Sequence, residues 1–346
     1  MKKIVLIREN KTKFGGAENY LLRLSDALKE LKKDHQIVNS KLPRFLPSWL
    51  RIIFFNLQLC INKQTQYLYF SLDRIICADV YRAGDGVHKK FLTIEKKSRL
   101  NLLHPIYLFL EKRCFENAKL IIANSKMIRK EIIDIYGISS KKIKVIYNGI
   151  KIDNFSKKNA YSDLKTEFPI IRNKKIILFV GSGFKRKGAE DFIKYAAILS
   201  NEISNLIFFI VGKDKNTKFY EELAESLKIS DKIIFTGPRG DVKNFYILSD
   251  ILILPTKYEP FSNVILEAMH YENVVFTTKQ NGASEILDSK FVMERPSDYS
   301  KLDLIKELIV DKKKLLEIQV ENSRKAKNFS IQRNVSETLK EIEKIT

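Results

Sequence analysis

From residue 174 onward, short apolar runs at 176–180, 206–211, 233–236, 251–254 and 274–277 alternate with stretches in which apolar residues recur at helical spacing. Each run predicts a buried strand and each intervening stretch a helix. Parallel strands need a crossover between them, so strict alternation predicts a parallel sheet with helices on both faces. In such sheets ligands bind at the carboxyl ends of the strands. The first half repeats the theme less cleanly. A strand at 4–7 leads to an amphipathic helix carrying Leu21, Leu24, Ala27, Leu28 and Leu31. A strand from Leu120 ends at a capping Ser125, and one from Ile143 ends in the turn Asn148-Gly149.

At 346 residues the chain has material for two domains of about 150 residues each. A 45% hydrophobic and 11% aromatic content argues for globular structure and against disorder. The polar, loosely patterned stretch at 148–174 marks the linker. The expected domains are 1–155 and 156–329. A last helix at 330–346, with Ile331, Val335, Leu339 and Ile342 on one face, is expected to return to the first domain.

The polar residues of the second half collect at the strand ends. After the first strand comes Gly181-Ser182-Gly183-Phe184-Lys185-Arg186-Lys187-Gly188, whose glycines permit close backbone approach and whose cations can neutralise a diphosphate. It lacks the spacing of a Walker phosphate loop, and by itself it also reads as a solvated basic turn. The third strand ends in Thr236-Gly237-Pro238-Arg239-Gly240-Asp241. The fourth leads into Glu259-Pro260-Phe261-Ser262-Asn263 and on to Glu267. Pro260 holds Glu259 in extended backbone and Ser262 is a good N-cap, so the spacing predicts a helix from Asn263. Glu259 then stays on the loop and Glu267 lies about one turn inside the helix. Free amides at a helix start attract phosphate, and a carboxylate on either side accepts hydrogen bonds from a ribose or a hexose. A capped surface helix is the alternative for the acidic pair alone; glycines, cations and acids at three strand ends favour a ligand. In the first half, Gly15-Gly16 is a candidate for presenting backbone amides to a phosphate, or else a flexible turn.

Together these motifs resemble the retaining family 4 glycosyltransferases of the GT-B fold, with an E-x7-E pair at Glu259 and Glu267, and the resemblance covers nearly the full length. Within that family the chain is most similar to lipopolysaccharide core glucosyltransferases that act on inner-core heptose. This narrower likeness rests on residues 179–188, on Tyr81-Arg82-Ala83-Gly84-Asp85-Gly86 and on Asn281-Gly282-Ala283-Ser284-Glu285. The resemblance implies an α/β architecture of two Rossmann-like domains whose parallel sheets face a central cleft. It implies transfer of a hexose, glucose first, from a UDP-sugar to a lipid-linked core oligosaccharide; another nucleotide sugar and another glycan are the alternative. Carried over by position, Arg186 and Lys187 bind the donor diphosphate, Arg239 lies near the nucleotide, Glu267 holds the ribose and Glu259 contacts the donor sugar. Gly15, Gly16, Phe261, Ser262 and Asn263 complete the implied donor site. Asp85 would orient the acceptor hydroxyl or accept its proton, although Gly84-Asp85-Gly86 is also a good tight turn. His88 reads as structural. Two departures bear on donor identity more than on fold: Ser182 stands where many members carry arginine, and Glu272-Asn273-Val274-Val275 where Cys-Gly-Leu-Pro is common. No Asp-x-Asp occurs and the Arg186-Lys187 pair would take the electrostatic part of a metal, so no metal cofactor is expected.

The net charge of +21 points to an anionic partner or to a lysine-rich bias. Residues 89–113 contain seven basic and two acidic side chains interleaved with Phe91, Ile106, Tyr107 and Phe109, a mixture suited to an anionic membrane surface. The run 47–55 is a second membrane candidate, but its near-continuous apolarity reads better as a buried helix. The run at 52–61 is too short for the ~20 residues that span a bilayer. Cys60, Cys77 and Cys114 form neither a CxxC pair nor a metal-type cluster, which reads as reduced thiols. The apolar run at 4–7 is shorter than a signal-peptide core. A cytoplasmic enzyme, peripheral on the inner membrane face, is therefore expected. A non-catalytic membrane protein or a nucleic-acid-binding protein would also carry the charge, but no zinc-finger spacing or RNP-type motif accompanies it, so no nucleic-acid partner is expected.

Overall fold

Twelve parallel strands in two sheets are present among the residues described by the computed structural model, which are 2–10, 16–43, 45–95, 101 and 103–345. The chain divides into two units, Met1–Gly149 with Ile331–Thr346, and Ile150–Ser330. In the first, the order along the chain is β1 (Lys3–Ile7), α1 (Gly16–Glu30), β2 (His35–Val38), α2 (Ser48–Ile61), β3 (Tyr67–Ser71), β4 (Val80–Ala83), α3 (His88–Glu95), α4 (Leu103–Asn117), β5 (Leu120–Ala123), α5 (Lys126–Tyr136) and β6 (Ile143–Val145). These strands pair in the order β2-β1-β3-β4-β5-β6.

The second unit runs α6 (Lys157–Glu167), β7 (Lys175–Val180), α7 (Phe184–Lys187), α8 (Ala189–Glu202), β8 (Leu206–Val211), α9 (Thr217–Ser226), β9 (Ile233–Gly237), α10 (Val242–Leu248), β10 (Ile251–Leu254), α11 (Asn263–His270), β11 (Val274–Thr278), β12 (Val292–Met293), α12 (Leu302–Val310) and α13 (Lys312–Ala326). Its sheet order is β12-β11-β10-β7-β8-β9. The chain moves outward from β7 to β9, then returns to place β10 on the other side of β7. The crevice where strand order reverses lies between β7 and β10, where open parallel sheets bind ligands. Every residue of β8 and β10 is buried, as helices on both faces require.

The last helix, α14 (Ile331–Glu343), joins the first unit. Ile331, Val335, Leu339 and Ile342 bury one face in the same core as Tyr20, Leu24 and Leu28 of α1. Asn334 fixes its register: it accepts from the Tyr20 hydroxyl (3.0 Å) and donates to the Tyr147 carbonyl (2.6 Å). Two parallel sheets with a returning C-terminal helix are the GT-B arrangement expected from the motifs.

Two sequence expectations change. Cys60 and Cys77 form a disulfide with Cα atoms 5.5 Å apart, leaving only Cys114 of the three as a free, buried thiol. The end of α2 meets the loop before β4, a pairing that a spacing of 17 residues does not announce. The second correction concerns α2, expected to be a buried helix. Ile52, Phe55, Asn56 and Leu59 are buried, but Phe54, Leu57 and Ile61 are exposed.

Because Ile342 is 1% exposed, Ile342→Ala removes a filled core position. It is expected to lower stability by about 2–5 kcal/mol in urea unfolding. An unchanged midpoint would show that α14 is not part of the core of the first unit.

Candidate functional site

The strand-end surface of the second unit is organised by the close approach of two segments. Gly188, at φ 81°, ends the turn α7 and starts α8, and a Cβ there would lie 1.9 Å from the Pro255 carbonyl oxygen. Only glycine fits both the left-handed backbone and that distance. The approach lets the Lys257 amide (2.8 Å) and the Thr256 hydroxyl (2.9 Å) donate to the Arg186 carbonyl. Arg186 and Lys187, from the β7 side of the crevice, are thereby fastened to the loop after β10.

That loop carries Glu259, which the two cations share. Lys187 Nζ lies 2.5 Å from Glu259 Oε2, and Arg186 Nη1 bonds the same oxygen while donating to the Tyr258 carbonyl (2.9 Å). Burial opposes ionisation of Glu259, but Lys187 and Arg186 more than offset it and hold the carboxyl down at about 2. Burial, with Arg186 nearby, pulls the Lys187 ammonium below the ordinary lysine value against the attraction of Glu259. One carboxylate is thus the resident counter-charge of two cations.

Asn281 sets the backbone around Glu259. The Glu259 amide donates to the Gln280 carbonyl and its carbonyl accepts from Gly282, both at 2.9 Å. The fully buried Asn281 side chain accepts from the Ser262 (3.2 Å) and Ala283 (3.1 Å) amides and donates to Thr277 Oγ1 (3.1 Å). Helix α11 begins at Asn263 as predicted, with Ser262 at the N-cap and Phe261 buried behind it. The Ser262 hydroxyl departs from expectation. It caps no amide, and its buried oxygen has no hydrogen-bond partner among the described residues.

Glu267 lies about one turn into α11, where its Oε2 accepts from the Tyr246 hydroxyl (3.2 Å). Tyr246 is buried in α10 and fixed by Asn273, which donates to its carbonyl (2.7 Å). Sequence reasoning passed over both residues, because an apolar helix with one tyrosine gives no sign of what that hydroxyl meets. Arg239 follows β9 as expected, yet its guanidinium is fully engaged. It forms paired bonds with Glu167 (2.7 and 2.7 Å) and with Asp241 (2.8 and 2.9 Å), and lies over Phe245. Paired with both carboxylates, Arg239 links α6 to its own loop.

In the first unit, Gly15 lies outside the described residues and Gly16 opens α1. Asp85 sits in the turn after β4, its side chain 47% exposed, with Oδ2 3.7 Å from Arg8 Nη1. Arg8 directly follows β1 and also meets Asp73 (2.7 Å) and Glu18 (3.2 Å). Burial works against charge on Asp73 and, in spite of Arg8, leaves its carboxyl above the ordinary value. Arg8 was missed; its only signal was a charge placed directly at the end of an apolar strand. His88 is structural: its ring contacts His104 (3.2 Å), and its amide donates to buried Glu111 (2.7 Å). Of the basic segment, Lys89 and Lys90 are exposed on α3 and Lys112 and Arg113 on α4, whereas Lys96, Lys97 and Arg99 lie outside the described residues.

The chain matches the family models of glycosyl transferases group 1 at residues 162–326 and glycosyltransferase family 4 at residues 82–154. It is similar to the lipopolysaccharide glucosyltransferase WaaG of Escherichia coli, 30% identical over 212 residues that cover 58% of this chain and 55% of that protein. It is also similar to an uncharacterized glycosyltransferase of Methanocaldococcus jannaschii, 31% identical over 173 residues, 48% of this chain and 44% of that one. The chain spans about half the length of these curated relatives. Similar solved structures include WaaG, a glycosyltransferase involved in lipopolysaccharide biosynthesis, with TM-score 0.81 at 18% identity over 97% of this chain and 98% of that one. Another is Anabaena HepE in complex with UDP and glucose, with TM-score 0.76 at 19% identity over 99% and 100%. At these identities the likeness shows the fold.

Glu259→Ala leaves Lys187 buried without a carboxylate, and is expected to lower the stability of the ligand-free protein by about 3–5 kcal/mol at pH 7. The folded carboxyl lies at about 2, below its unfolded value. Its contribution is therefore full above the unfolded value of about 4.3 and is lost as the pH falls through 2. Urea unfolding at pH 7 and pH 3 should show the gap between wild type and variant shrinking in acid; a gap independent of pH contradicts the assignment.

Proposed function

The chain belongs to the group 1, family 4 glycosyl transferases, and on that premise we propose that it is a retaining hexosyltransferase using a UDP-sugar, UDP-glucose first. The observation that carries the reading is the Arg186-Lys187 pair converging on Glu259 beside the start of α11, in the crevice between β7 and β10. A diphosphate brings the negative charge those cations need, and the helix start with its unpartnered Ser262 hydroxyl suits phosphate oxygens. Once the diphosphate takes over the cations, Glu259 is free to accept hydrogen bonds from the hydroxyls of the sugar. Glu267, oriented by Tyr246, is the acceptor assigned to the ribose.

The reaction proposed is a front-face displacement. The acceptor oxygen bonds to the anomeric carbon as the bond from that carbon to the β-phosphate oxygen breaks. The electron pair leaves with UDP, and the acceptor proton passes to a departing phosphate oxygen. Positioning and charge stabilisation lower the barrier, with Arg186 and Lys187 neutralising the leaving diphosphate, so no metal is required. Asp85, exposed at the end of β4, is assigned to the acceptor hydroxyl. The Gly16 end of α1 is assigned to the donor phosphates.

The acceptor proposed is a lipid-linked, lipopolysaccharide-type core oligosaccharide on an anionic membrane. Similarity to the Escherichia coli lipopolysaccharide glucosyltransferase supports this, as do the basic, aromatic residues of α3 and α4. None of the described helices is long and apolar enough to cross a membrane, and attachment at the cytoplasmic face is the arrangement proposed. The Cys60–Cys77 disulfide is the feature that pulls against a reducing compartment.

Thermal unfolding with UDP-glucose, UDP-galactose, UDP-N-acetylglucosamine and ADP- or GDP-sugars, all in EDTA, tests the donor. A UDP-sugar at 100 times its Kd is expected to stabilise by about 2.7 kcal/mol. Glu267→Ala should chiefly weaken donor binding, whereas Glu259→Ala should chiefly reduce turnover, by roughly 100-fold or more. No stabilisation by any sugar nucleotide, or transfer that needs added manganese, would sink the reading.

A further inference from the structure

Arg186 and Lys187 stand on α7, a single helical turn. One turn has little stability of its own, so its place is set from outside. Its far end is held to the loop after β10 through Gly188 and the Arg186 carbonyl. Its near end has no cap of its own, because Gly183 stands at the N-cap position and offers no side chain to the Phe184 amide. Asp214, in the loop between β8 and α9 and 30 positions from Phe184, supplies the missing acceptor. Its Oδ2 accepts from the Phe184 amide (2.7 Å) and its Oδ1 from the Asn216 amide (2.8 Å), while its carbonyl accepts from the Thr217 hydroxyl (3.0 Å).

The backbone brings the two loops together. A Cβ on Gly212 would lie 2.0 Å from the Gly181 carbonyl oxygen, an approach only glycine allows, and the Gly183 amide donates to the Lys213 carbonyl (3.2 Å). Phe184 is fully buried and makes T-shaped ring contacts with Tyr220 of α9 and Phe179 of β7. Among the described residues Asp214 pairs with no cation, although Lys185, Arg186 and Lys187 directly follow the amide that it holds. A carboxylate whose two oxygens both meet backbone amides orders backbone rather than neutralising a side chain. We infer that Asp214 is a positioning residue for the donor diphosphate: it fixes the start of α7 and, through that turn, the places of Arg186 and Lys187. This rests on the donor reading above.

Asp214→Asn keeps the size of the side chain but has one acceptor oxygen, so its NH2 group faces an N–H at Phe184 or at Asn216. Calorimetry of UDP, and displacement of bound UDP by uridine, are compared in wild type and variant, with thermal unfolding showing that the variant is folded. By charge alone, loss of an anion close to three cations would tighten UDP. The expected result has the opposite sign: UDP binds the variant about tenfold more weakly, whereas uridine, which has no phosphate to meet the cations, binds as to wild type. UDP binding that is unchanged or tightened overturns the inference. So does an equal loss of UDP and uridine, because Asp214 then serves the nucleoside or the unit as a whole. Wild type that binds UDP beside an indifferent variant sinks this inference alone; wild type that binds no UDP sinks the donor reading and the inference with it. Hydrogen exchange of ligand-free wild type needs no variant: the amides of residues 184–188 should exchange at least about tenfold more slowly than in unfolded chain, and free exchange there overturns the inference as well.

Discussion

Glu259 is the shared counter-charge of Arg186 and Lys187, and the second unit brings the three groups from opposite sides of one crevice. A buried ammonium needs an anion beside it, because an uncompensated charge in that position destabilises a fold by several kcal/mol. Lys187 is 7% exposed, so its partner is a structural necessity. The geometry that supplies the partner is backbone geometry: Gly188 against the Pro255 carbonyl, the Lys257 amide and Thr256 hydroxyl on Arg186, and Asn281 under the loop that carries Glu259. The cations are therefore in place before any ligand arrives. In the proposed function, a diphosphate replaces the counter-charge.

The first unit shares the parallel architecture but gathers its carboxylates around an arginine. One cation, Arg8, meets Asp73, Glu18 and Asp85 from the strand ends and the start of α1. Arg51 pairs with Glu9 beside them (3.2 Å), and burial leaves Asp73 and Glu9 above their ordinary carboxyl values. A carboxylate at a strand end accepts hydrogen bonds from hydroxyls.

The alternation of the second half was legible because β8 and β10 are wholly apolar buried runs and β7 and β11 carry polar residues only at one end. The missed strands are instructive. β2 is an edge strand reading His-Gln-Ile-Val with a half-exposed pattern. β4 is wholly buried yet contains Arg82, which is tolerated because it lies over the Tyr20 ring at 3.7 Å and bonds Asn148. A lone arginine hides a core strand unless its distant partners are known. For the candidate site, composition at the strand ends marked Arg186, Lys187 and Glu259 as residues of interest. It gave no sign that they bond across 73 positions, that Arg239 is held by Glu167 72 positions away, or that Tyr246 orients Glu267. Contacts between segments far apart in the chain depend on sheet order, and the β7–β10 adjacency appears only once the sheet is assembled.

The central claim is that Glu259 competes with the donor diphosphate for Arg186 and Lys187 and then serves the sugar. Titration calorimetry of UDP and UDP-glucose against wild type and Glu259→Gln tests it directly. The account predicts that UDP, which has no sugar, binds the variant more tightly than wild type, while the added glucose improves affinity only in wild type. UDP that binds the variant more weakly, or a glucose contribution that survives the substitution, would contradict it.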